Sequence, residues 1–263
     1  MRKNITFIIS IIIGFALAFF ISHNGLFPKK EEKVMAEFLS LLAKEDLTVA
    51  AVMAYVDQHL DEVRPENAGK LVLGLEWVQQ EKLPDWQRLY EDSALQAKMA
   101  RVYQRNWALE DFKTVEDEEI RHLVVETMNN GYKIETAEGQ FFPVIDYTFY
   151  QKYFEAISAD LTAYFELMAV ESEGTPVKDG ALMIGWEEIL RRAKRQEQFI
   201  DGYGGSTQVE PVRALLKRYV TFALFGCNNT PLFDYTTKEM DPEAKMAYNI
   251  FVAQETEGNF AAL

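Results

Sequence analysis

The sequence predicts a mainly α-helical protein, an irregular helical array or bundle with one small β-hairpin, preceded by an N-terminal transmembrane or signal helix. Three observations support this prediction. An unbroken apolar run extends from Ile5 to Ile21, and apolar residues then recur at three- and four-residue spacing through most of the chain. One segment, at about 132–145, alternates instead. Apolar residues make up 48% of the sequence, which is enough for a chain of this length to build a full core.

The apolar run predicts where the protein is located. As a helix its roughly 17 residues would measure about 26 Å, long enough to cross a bilayer or to form the core of a signal peptide. Arg2 and Lys3 precede the run and the first acidic residue is Glu31, so the N-terminal end should stay in the cytoplasm. We therefore expect residues 1–28 to be a membrane anchor or signal segment and residues 29–263 to be an extracytoplasmic helical domain.

The sequence favours an anchor that is retained over a signal peptide that is cleaved. The stretch 18–26 offers no clear small-x-small cleavage site, and no early cysteine is available for lipid attachment. The expectation is a single-pass membrane protein whose C-terminal domain, joined to the membrane through residues 5–21, lies outside the cytoplasm. A secreted protein is the alternative, and it would follow if the segment were cleaved.

Charge argues against nucleic acid as a partner. The chain carries −14 overall, and because only four of its 27 basic residues and none of its acidic residues lie in positions 1–30, the rest carries about −18. Binding to phosphates requires concentrated Lys and Arg, whereas the densest basic stretch, Arg191–Arg195, is short and is expected to form a solvated helix surface. Cys227 is the only cysteine, so no internal disulfide forms, and we expect it to be a buried structural thiol.

Successive helices are predicted up to residue 130. Pro65 and Pro84 each suit the first turn of a helix. Thr114 can cap an amphipathic helix that ends before Gly131, since acidic residues crowd its first turn and apolar residues share one face.

A hairpin is then predicted at about 132–145. Residues 132–136 alternate, Glu138-Gly139 supplies a turn, and the apolar run 141–145 forms the second strand. Pro143 restricts that strand to an edge or a bulge, because proline lacks an N–H to donate.

Four helices are predicted in the rest of the chain. A helix with apolar residues at core spacing over 154–168 ends at a Gly-Thr-Pro break at 174–176. Two helices then flank a glycine-rich turn at 201–206, and the second begins with a capping box formed by Thr207–Glu210. The last helix begins at Asp241.

The two helices around the glycine-rich turn resemble a known motif. Their Phe199-Ile200-x-x-Tyr203-x-x-Ser206 spacing, within residues 186–226, is similar to one helical hairpin of the tetratricopeptide type found in extracytoplasmic lipoproteins. Helical hairpins commonly present grooves to partners, so the resemblance implies a binding role. No second copy follows at a fixed period, and we therefore do not predict a solenoid.

The connector 226–241 is the candidate binding element. It is too long for a simple turn and mixes side-chain amides, a carboxylate and aromatic rings. The candidate partner-binding residues are Asn228, Asn229, Thr230, Phe233, Asp234 and Tyr235. The expected partner is an envelope protein or a cell-wall glycan or peptide. In the alternative interpretation, the loop buries Phe233 and Tyr235 in the core and forms hydrogen bonds through its asparagines.

Glu171 is the candidate catalytic residue of a rival function. Glu171-Ser172, followed by Gly-Ala-Leu-Met at 180–183, is similar in order to the lytic transglycosylase pattern, a catalytic glutamate in Glu-Ser followed by Gly-Ala-x-Gly-Leu-Met-Gln. The resemblance implies a carboxylic acid of raised pKa that protonates a glycosidic oxygen. The other interpretation of Glu171 is a surface residue at a helix end.

No metal or cofactor site is predicted. His23, His59 and His122 have no second histidine or cysteine at metal-ligand spacing, and the glycine-rich turn lacks a Walker lysine and a G-x-G-x-x-G pattern. The lack of such patterns, together with the apolar N-terminal run, favours a membrane-anchored, extracytoplasmic, non-enzymatic binding or interaction protein of the cell envelope. The alternatives are a peptidoglycan-acting glycosidase that uses Glu171 and a structural spacer or assembly factor.

Overall fold

A computed structural model describes residues 29–103, 109–254 and 260. Within these residues the chain is mainly helical and carries small antiparallel hairpins, which confirms the predicted fold class in its coarse form. The apolar run from Ile5 to Ile21 lies outside the described residues. Of the helices that are described, none combines the length and the apolar character that a membrane span requires.

The described residues form nine α-helices and three two-stranded hairpins. The helices are α1 (Lys29–Leu42), α2 (Val49–His59), α3 (Pro65–Leu89), α4 (Ser93–Tyr103), α5 (Glu118–Asn129), α6 (Ala159–Glu173), α7 (Trp186–Gly202), α8 (Val209–Phe225) and α9 (Pro242–Gln254). The hairpins pair β1 (Tyr132–Ala137) with β2 (Gln140–Ile145), β3 (Val177–Lys178) with β4 (Ala181–Leu182), and β5 (Gly226–Cys227) with β6 (Thr230–Pro231). Short 3-10 helices occupy Leu60–Glu62, Leu109–Thr114 and Tyr147–Tyr153.

The chain divides into two compact units, with the boundary after Val78, inside α3. In the first unit, Phe38 of α1 is fully buried, and a β-carbon on Gly74 would lie 2.7 Å from its ring. Glycine in this helix therefore allows a close approach that alanine would prevent. Buried Glu31 accepts hydrogen bonds from Arg64 over 3.2 Å and from Asn67 over 2.7 Å.

Helix α3 is longer than predicted. Pro65 begins it as expected, but Pro84 lies inside the helix instead of starting a new one. Proline removes one N–H donor from the helical ladder, which destabilises a helix interior. The last turn is nevertheless held in place, because Trp86 packs against Tyr132 with ring centroids 5.8 Å apart.

Helices α4 and α5 pack with the β1–β2 hairpin around one core of the second unit. The buried residues of this core are Tyr90, Leu95, Met99, Phe112, Val115, Ile120, Val124, Ile134 and Phe141. The predicted amphipathic helix is confirmed, but its cap is Asp117 and not Thr114. The Asp117 carboxylate accepts the N–H of Glu119 and of Ile120. The Thr114 hydroxyl instead donates to the carbonyl of Asp111 at the end of a 3-10 helix.

The predicted hairpin is confirmed in both strands and in its turn. Its register pairs Tyr132 with Ile145 at the open end. Glu138 and Gly139 both have positive φ, 50° and 75°, which is the backbone conformation that a two-residue type I′ turn requires. Pro143 is tolerated because a strand in a two-stranded sheet has one unpaired edge.

Helix α6 begins at Ala159, later than the periodicity predicts. The preceding residues, 147–153, form a 3-10 helix whose start is capped by Asp146, which accepts the N–H of Thr148. The three tyrosines of this segment are buried, and the Tyr150 ring stacks on Phe165 of α6 at 4.4 Å. Residues 154–158, which the periodicity assigned to α6, instead form the connection between this 3-10 helix and α6.

Helices α7, α8 and α9 enclose a further core of the second unit. Its buried residues are Trp186, Ile189, Leu190, Ala193, Leu215, Tyr219, Ala223, Leu232, Ala244, Ala247 and Phe260. The start of α9 is as predicted, since the Asp241 carboxylate accepts the N–H of Ala244 over 2.8 Å.

The predicted capping box at Thr207–Glu210 does not form. Helix α8 begins at Val209, and the side chain of its N-cap residue, Gln208, makes no capping bond. The Ser206 hydroxyl shapes the turn instead, because it donates to Asp160 over 2.6 Å and accepts the N–H of Gln208 over 3.2 Å. A tertiary contact with α6 therefore replaces the local cap.

Candidate functional site

The connector between α8 and α9, residues 226–241, is held together by its own backbone. It opens with the β5–β6 hairpin, and Phe233 then forms an antiparallel bridge with Met240. Inside this bridge the Asp234 N–H donates to the Glu239 carbonyl over 2.8 Å. The connector is therefore built as successive tight turns, which is why it needs so many residues.

Gly226 sets the direction in which the chain leaves α8. Its φ is 70°, in the left-handed region that favours glycine after a helix. A β-carbon at this position would lie 2.2 Å from the Thr230 carbonyl oxygen and 2.7 Å from the Leu232 nitrogen. The neighbouring Cys227 was predicted to be buried, but it is only half-buried. This partial burial raises the pKa of its thiol. A raised pKa keeps the thiol protonated and unreactive near neutral pH.

Asn229 and Thr230 attach the loop to the β3–β4 hairpin. The Asn229 N–H donates to the Gly180 carbonyl over 2.8 Å, and its side-chain amide donates to the Asp179 carbonyl over 2.6 Å. The Thr230 hydroxyl accepts the N–H of Leu182 over 3.2 Å. These two candidate binding residues therefore have a structural role, which the alternative interpretation predicted for the asparagine but not for Thr230.

The aromatic residues of the loop point away from the core, which overturns the alternative in which they are buried. Phe233 is 49% exposed and Tyr235 is 64% exposed. Phe225, at the end of α8, is 69% exposed. Leu232 is the residue that anchors the loop in the core. We refer to Phe225, Phe233 and Tyr235 as the aromatic surface.

The polar groups of the loop mostly stabilise the loop itself. One Asp234 carboxylate oxygen accepts the N–H of Thr237 and of Thr236, each over 2.7 Å, and these bonds lower the pKa of the carboxyl group. The Tyr235 hydroxyl donates to the Asn228 carbonyl over 3.2 Å. The groups left free for a partner are therefore mainly the aromatic rings.

Glu171 belongs to a buried polar cluster and not to an exposed helix end. Its side chain, near the C-terminus of α6, is 13% exposed, and the Tyr219 hydroxyl lies 2.6 and 2.8 Å from its two oxygens. Arg192 approaches the same carboxylate at 3.4 Å, donates to Glu188 over 2.7 Å, and donates to the carbonyl of Gly174 over 2.8 Å. The cluster joins α6, α7 and α8 and satisfies a carbonyl at the end of α6.

Burial raises the pKa of Glu171, while Tyr219 and Arg192 act in the opposite direction. A raised pKa is a property that a general acid requires. However, both carboxylate oxygens are occupied by the cluster, and the group lines neither of the two cavities described below. The geometry therefore favours a structural role for Glu171.

The basic run on α7 is not a solvated surface throughout, as the sequence had suggested. Arg191 and Arg195 are exposed, but Arg192 and Lys194 are buried. Lys194 pairs with Glu197 over 3.2 Å. Helix α7 contacts α6, α8 and α9, so few of its positions remain free to face solvent.

The two described histidines, His59 and His122, differ in their surroundings. His59 pairs with Glu62 over 2.9 Å, His122 is exposed, and His23 lies outside the described residues. Within the part of the chain that the structure describes, no three His, Cys, Asp or Glu side chains are grouped as a metal site.

Two open cavities in the second unit were not predicted from the sequence. One, of about 480 Å³, lies along α6 and α7. The other, of about 500 Å³, lies beside the turns of two hairpins and is lined in part by Tyr103, Glu138, Phe141 and Asp179. The sequence signal for the first cavity is a second row of apolar residues on α6 that the core does not use.

Searches of protein-family models, of curated proteins and of solved structures find no match to this chain. The resemblance of residues 186–226 to a tetratricopeptide-type hairpin therefore stays a prediction.

Proposed function

We propose that the protein is a non-enzymatic binding protein of the cell envelope, which residues 5–21 anchor in the membrane and whose aromatic surface contacts a protein partner. The observation that carries this proposal is the exposure of Phe225, Phe233 and Tyr235 on a segment whose backbone is fixed by hydrogen bonds.

Aromatic side chains on a fixed loop suit a binding site energetically. An aromatic side chain buries about 150–250 Å² when it passes from full exposure to full burial, and these three residues still expose between 49% and 69% of their surface. Tyrosine is also enriched among the residues that dominate binding energy. A loop that is already held in shape loses little conformational entropy on binding. The bridge between Phe233 and Met240 and the contacts of Asn229 with the β3–β4 hairpin provide this preorganisation.

The distribution of polar groups favours a protein partner over a glycan. Hydroxyl-rich ligands require amides and carboxylates that are free to form hydrogen bonds with them. In this loop, Asp234 already accepts two backbone N–H groups, and the amide of Asn229 donates to Asp179. Within the described residues the Asn228 side-chain amide forms no hydrogen bond, so this amide and the three rings of the aromatic surface are what remains for a partner.

Photo-crosslinking in intact cells tests the proposal. The full-length chain is expressed in its own host with p-benzoylphenylalanine in place of Tyr235. A matched control carries the same probe in place of Gln151, which is exposed on a 3-10 helix far along the sequence from the loop. We expect the probe at Tyr235 to give one discrete protein adduct in the membrane fraction that the control does not give.

Other outcomes would contradict the proposal. Equal adducts from both positions would indicate random collision, and the absence of adducts from Tyr235 would remove the aromatic surface as a protein-binding site. Cosedimentation of the chain with purified peptidoglycan that depends on Tyr235 would support the glycan alternative. Release of muropeptides that is lost in Glu171→Gln would support the glycosidase.

A further inference from the structure

The cavity along α6 and α7 is formed by helix faces that the core leaves open. Helix α6 directs one row of side chains, which includes Leu161 and Phe165, into the protein interior. A second row on the same helix, Glu166, Leu167 and Val170, lines the cavity at three- and four-residue spacing. Helix α7 contributes Arg195, Gln198 and Phe199, which repeat the same spacing.

The lining combines an apolar floor with unpaired polar groups. Leu167, Val170 and Phe199 supply apolar surface. In the part of the chain that the structure describes, the side chains of Glu166 and Arg195 form no hydrogen bond or ion pair, either with each other or with another residue. The cavity lining therefore includes one negative side chain on α6 and one positive side chain on α7 that are available to a ligand.

Arg195 differs in this respect from the other two arginines of α7. Arg191 and Arg192, on the same helix, are both paired with Glu188. Ligand sites are typically concave and mostly apolar, with a few polar groups that orient the ligand, and a volume of about 480 Å³ is in their usual range. A guanidinium binds a carboxylate in a planar, two-bond geometry, and a carboxylate accepts hydrogen bonds from an ammonium group.

We propose that this cavity binds a small apolar zwitterion, an amino acid or the two free termini of a short peptide. Arg195 binds its carboxylate, Glu166 binds its ammonium group, and the apolar body packs on Leu167, Val170 and Phe199. Two free and opposite charges in a lining that also contains Leu167, Val170 and Phe199 are complementary to this class of ligand. The cavity lining shares no residue with the aromatic surface, so this proposal does not depend on the function proposed above.

Equilibrium dialysis of the full chain in a nonionic detergent tests the site, with protein-free detergent as the blank. The probes are the dipeptide leucyl-phenylalanine, its N-acetylated form and its C-terminal amide. We expect the free dipeptide to bind at least about tenfold more tightly than either blocked form, since a charged hydrogen bond contributes more than about 1.4 kcal/mol.

Charge-neutralising variants assign each terminus to its residue. In Arg195→Gln, we expect the free dipeptide to bind about tenfold more weakly and amidation to cause no further loss. In Glu166→Gln, acetylation should lose its effect in the same way. Arg213→Gln, which removes an exposed arginine on α8, should leave all three affinities unchanged.

Three results would overturn the proposal. They are equal affinity for the free and blocked peptides, preferences that persist in both variants, and the absence of saturable binding up to about 10 mM. Since the three probes differ only at their termini, their comparison in the unmodified chain remains decisive even if a variant fails to fold.

Discussion

The Tyr219 hydroxyl lies 2.6 Å from Oε1 and 2.8 Å from Oε2 of Glu171, and it accepts a hydrogen bond from Arg192 over 3.2 Å. The three side chains come from α8, α6 and α7, so one hydroxyl links the polar contacts of three helices. The removal of a charged group from water costs free energy, and the hydrogen bonds and ion pairs of a buried cluster offset this cost only when every partner is in place. The cluster should therefore respond strongly to the loss of any one member.

Replacement of Arg192 by Met should destabilise the protein strongly. The apolar side chain keeps most of the volume but leaves the Glu171 and Glu188 carboxylates without their buried cation, and the Gly174 carbonyl without its donor. We expect the free energy of unfolding to fall by about 3–5 kcal/mol, measured by urea denaturation. Arg191→Met is the matched control, because this side chain is 51% exposed and should change stability by less than about 0.5 kcal/mol. Equal effects of the two substitutions would refute a structural role for the cluster.

The raised pKa of Glu171 predicts an unusual pH dependence. Since burial raises the pKa above its ordinary value of 4.5, the native state binds more protons than the unfolded state just above that pH. Stability from this group is therefore present below pH 4.5 and is lost as pH rises through the native pKa, opposite to the behaviour of an ordinary ion-paired acid.

Comparison with Glu171→Gln isolates this effect, because the other acids titrate in both proteins. Urea unfolding from about pH 4 to about pH 8 should show that the stability of the unmodified protein, relative to the variant, falls as pH rises. A relative stability that rises with pH would mean that Arg192 and Tyr219 outweigh burial and hold the pKa of Glu171 below its ordinary value.

The sequence was sufficient where local chemistry determines structure. The positive φ values of Glu138 and Gly139 follow from a two-residue hairpin turn, and the cap at Asp241 follows from a carboxylate before a helix. The predictions that Thr114 and Thr207 cap helices were wrong, because several hydroxyl and carboxylate groups compete for the free N–H groups near each helix start. At α8 the choice is made by Ser206 through a contact with α6.

The candidate site was harder to predict from the sequence than these turns and caps, since the burial of its residues depends on tertiary packing. Arg192 is buried although it lies in a basic run, because three other helices contact α7. Phe233 and Tyr235 are exposed although they are aromatic, because the loop is anchored in the core by Leu232. Periodicity identifies which residues share a helix face, but it does not say how many faces are covered.

Gln79 should tolerate replacement poorly, because it serves three buried partners. Its amide donates to the Asn130 carbonyl over 2.9 Å, its side-chain oxygen accepts the hydroxyl of Tyr150, and its own carbonyl accepts the hydroxyl of Tyr132 over 2.8 Å. Gln79→Leu keeps the last bond but removes the donor to the buried Asn130 carbonyl and the acceptor of the Tyr150 hydroxyl. We expect a loss of about 2–4 kcal/mol in urea unfolding, since the loss of one partner of a buried hydrogen bond costs about 1–3 kcal/mol. Exposed Gln151→Leu should change stability by less than about 0.5 kcal/mol, and a similar value for Gln79→Leu would contradict the bonding described.

Gly226→Ala should distort the connector. The β-carbon would lie 2.2 Å from the Thr230 carbonyl at a φ of 70°, so the backbone of the β5–β6 hairpin must shift. We expect a loss of at least about 1–3 kcal/mol in stability, together with a weaker crosslink from the aromatic surface. Gly205→Ala is the matched control, because its β-carbon would meet no atom within 4 Å. Unchanged crosslinking in Gly226→Ala would show that the shape of the hairpin does not matter for binding.

Removal of two rings of the aromatic surface should affect binding without affecting stability. Phe225 and Tyr235 are 69% and 64% exposed, so Phe225→Ser combined with Tyr235→Ser should change the free energy of unfolding by less than about 1 kcal/mol. With the photoprobe in place of Phe233, the same double substitution should reduce adduct yield at least about tenfold, because each lost aromatic contact at a binding hot spot costs about 2 kcal/mol. Met246→Ser, at a residue of α9 that is 60% exposed, should leave the adduct unchanged. If the double variant kept its full adduct yield, the partner would bind elsewhere, and if it unfolded, these rings would contribute to the fold in a way that their exposure does not predict.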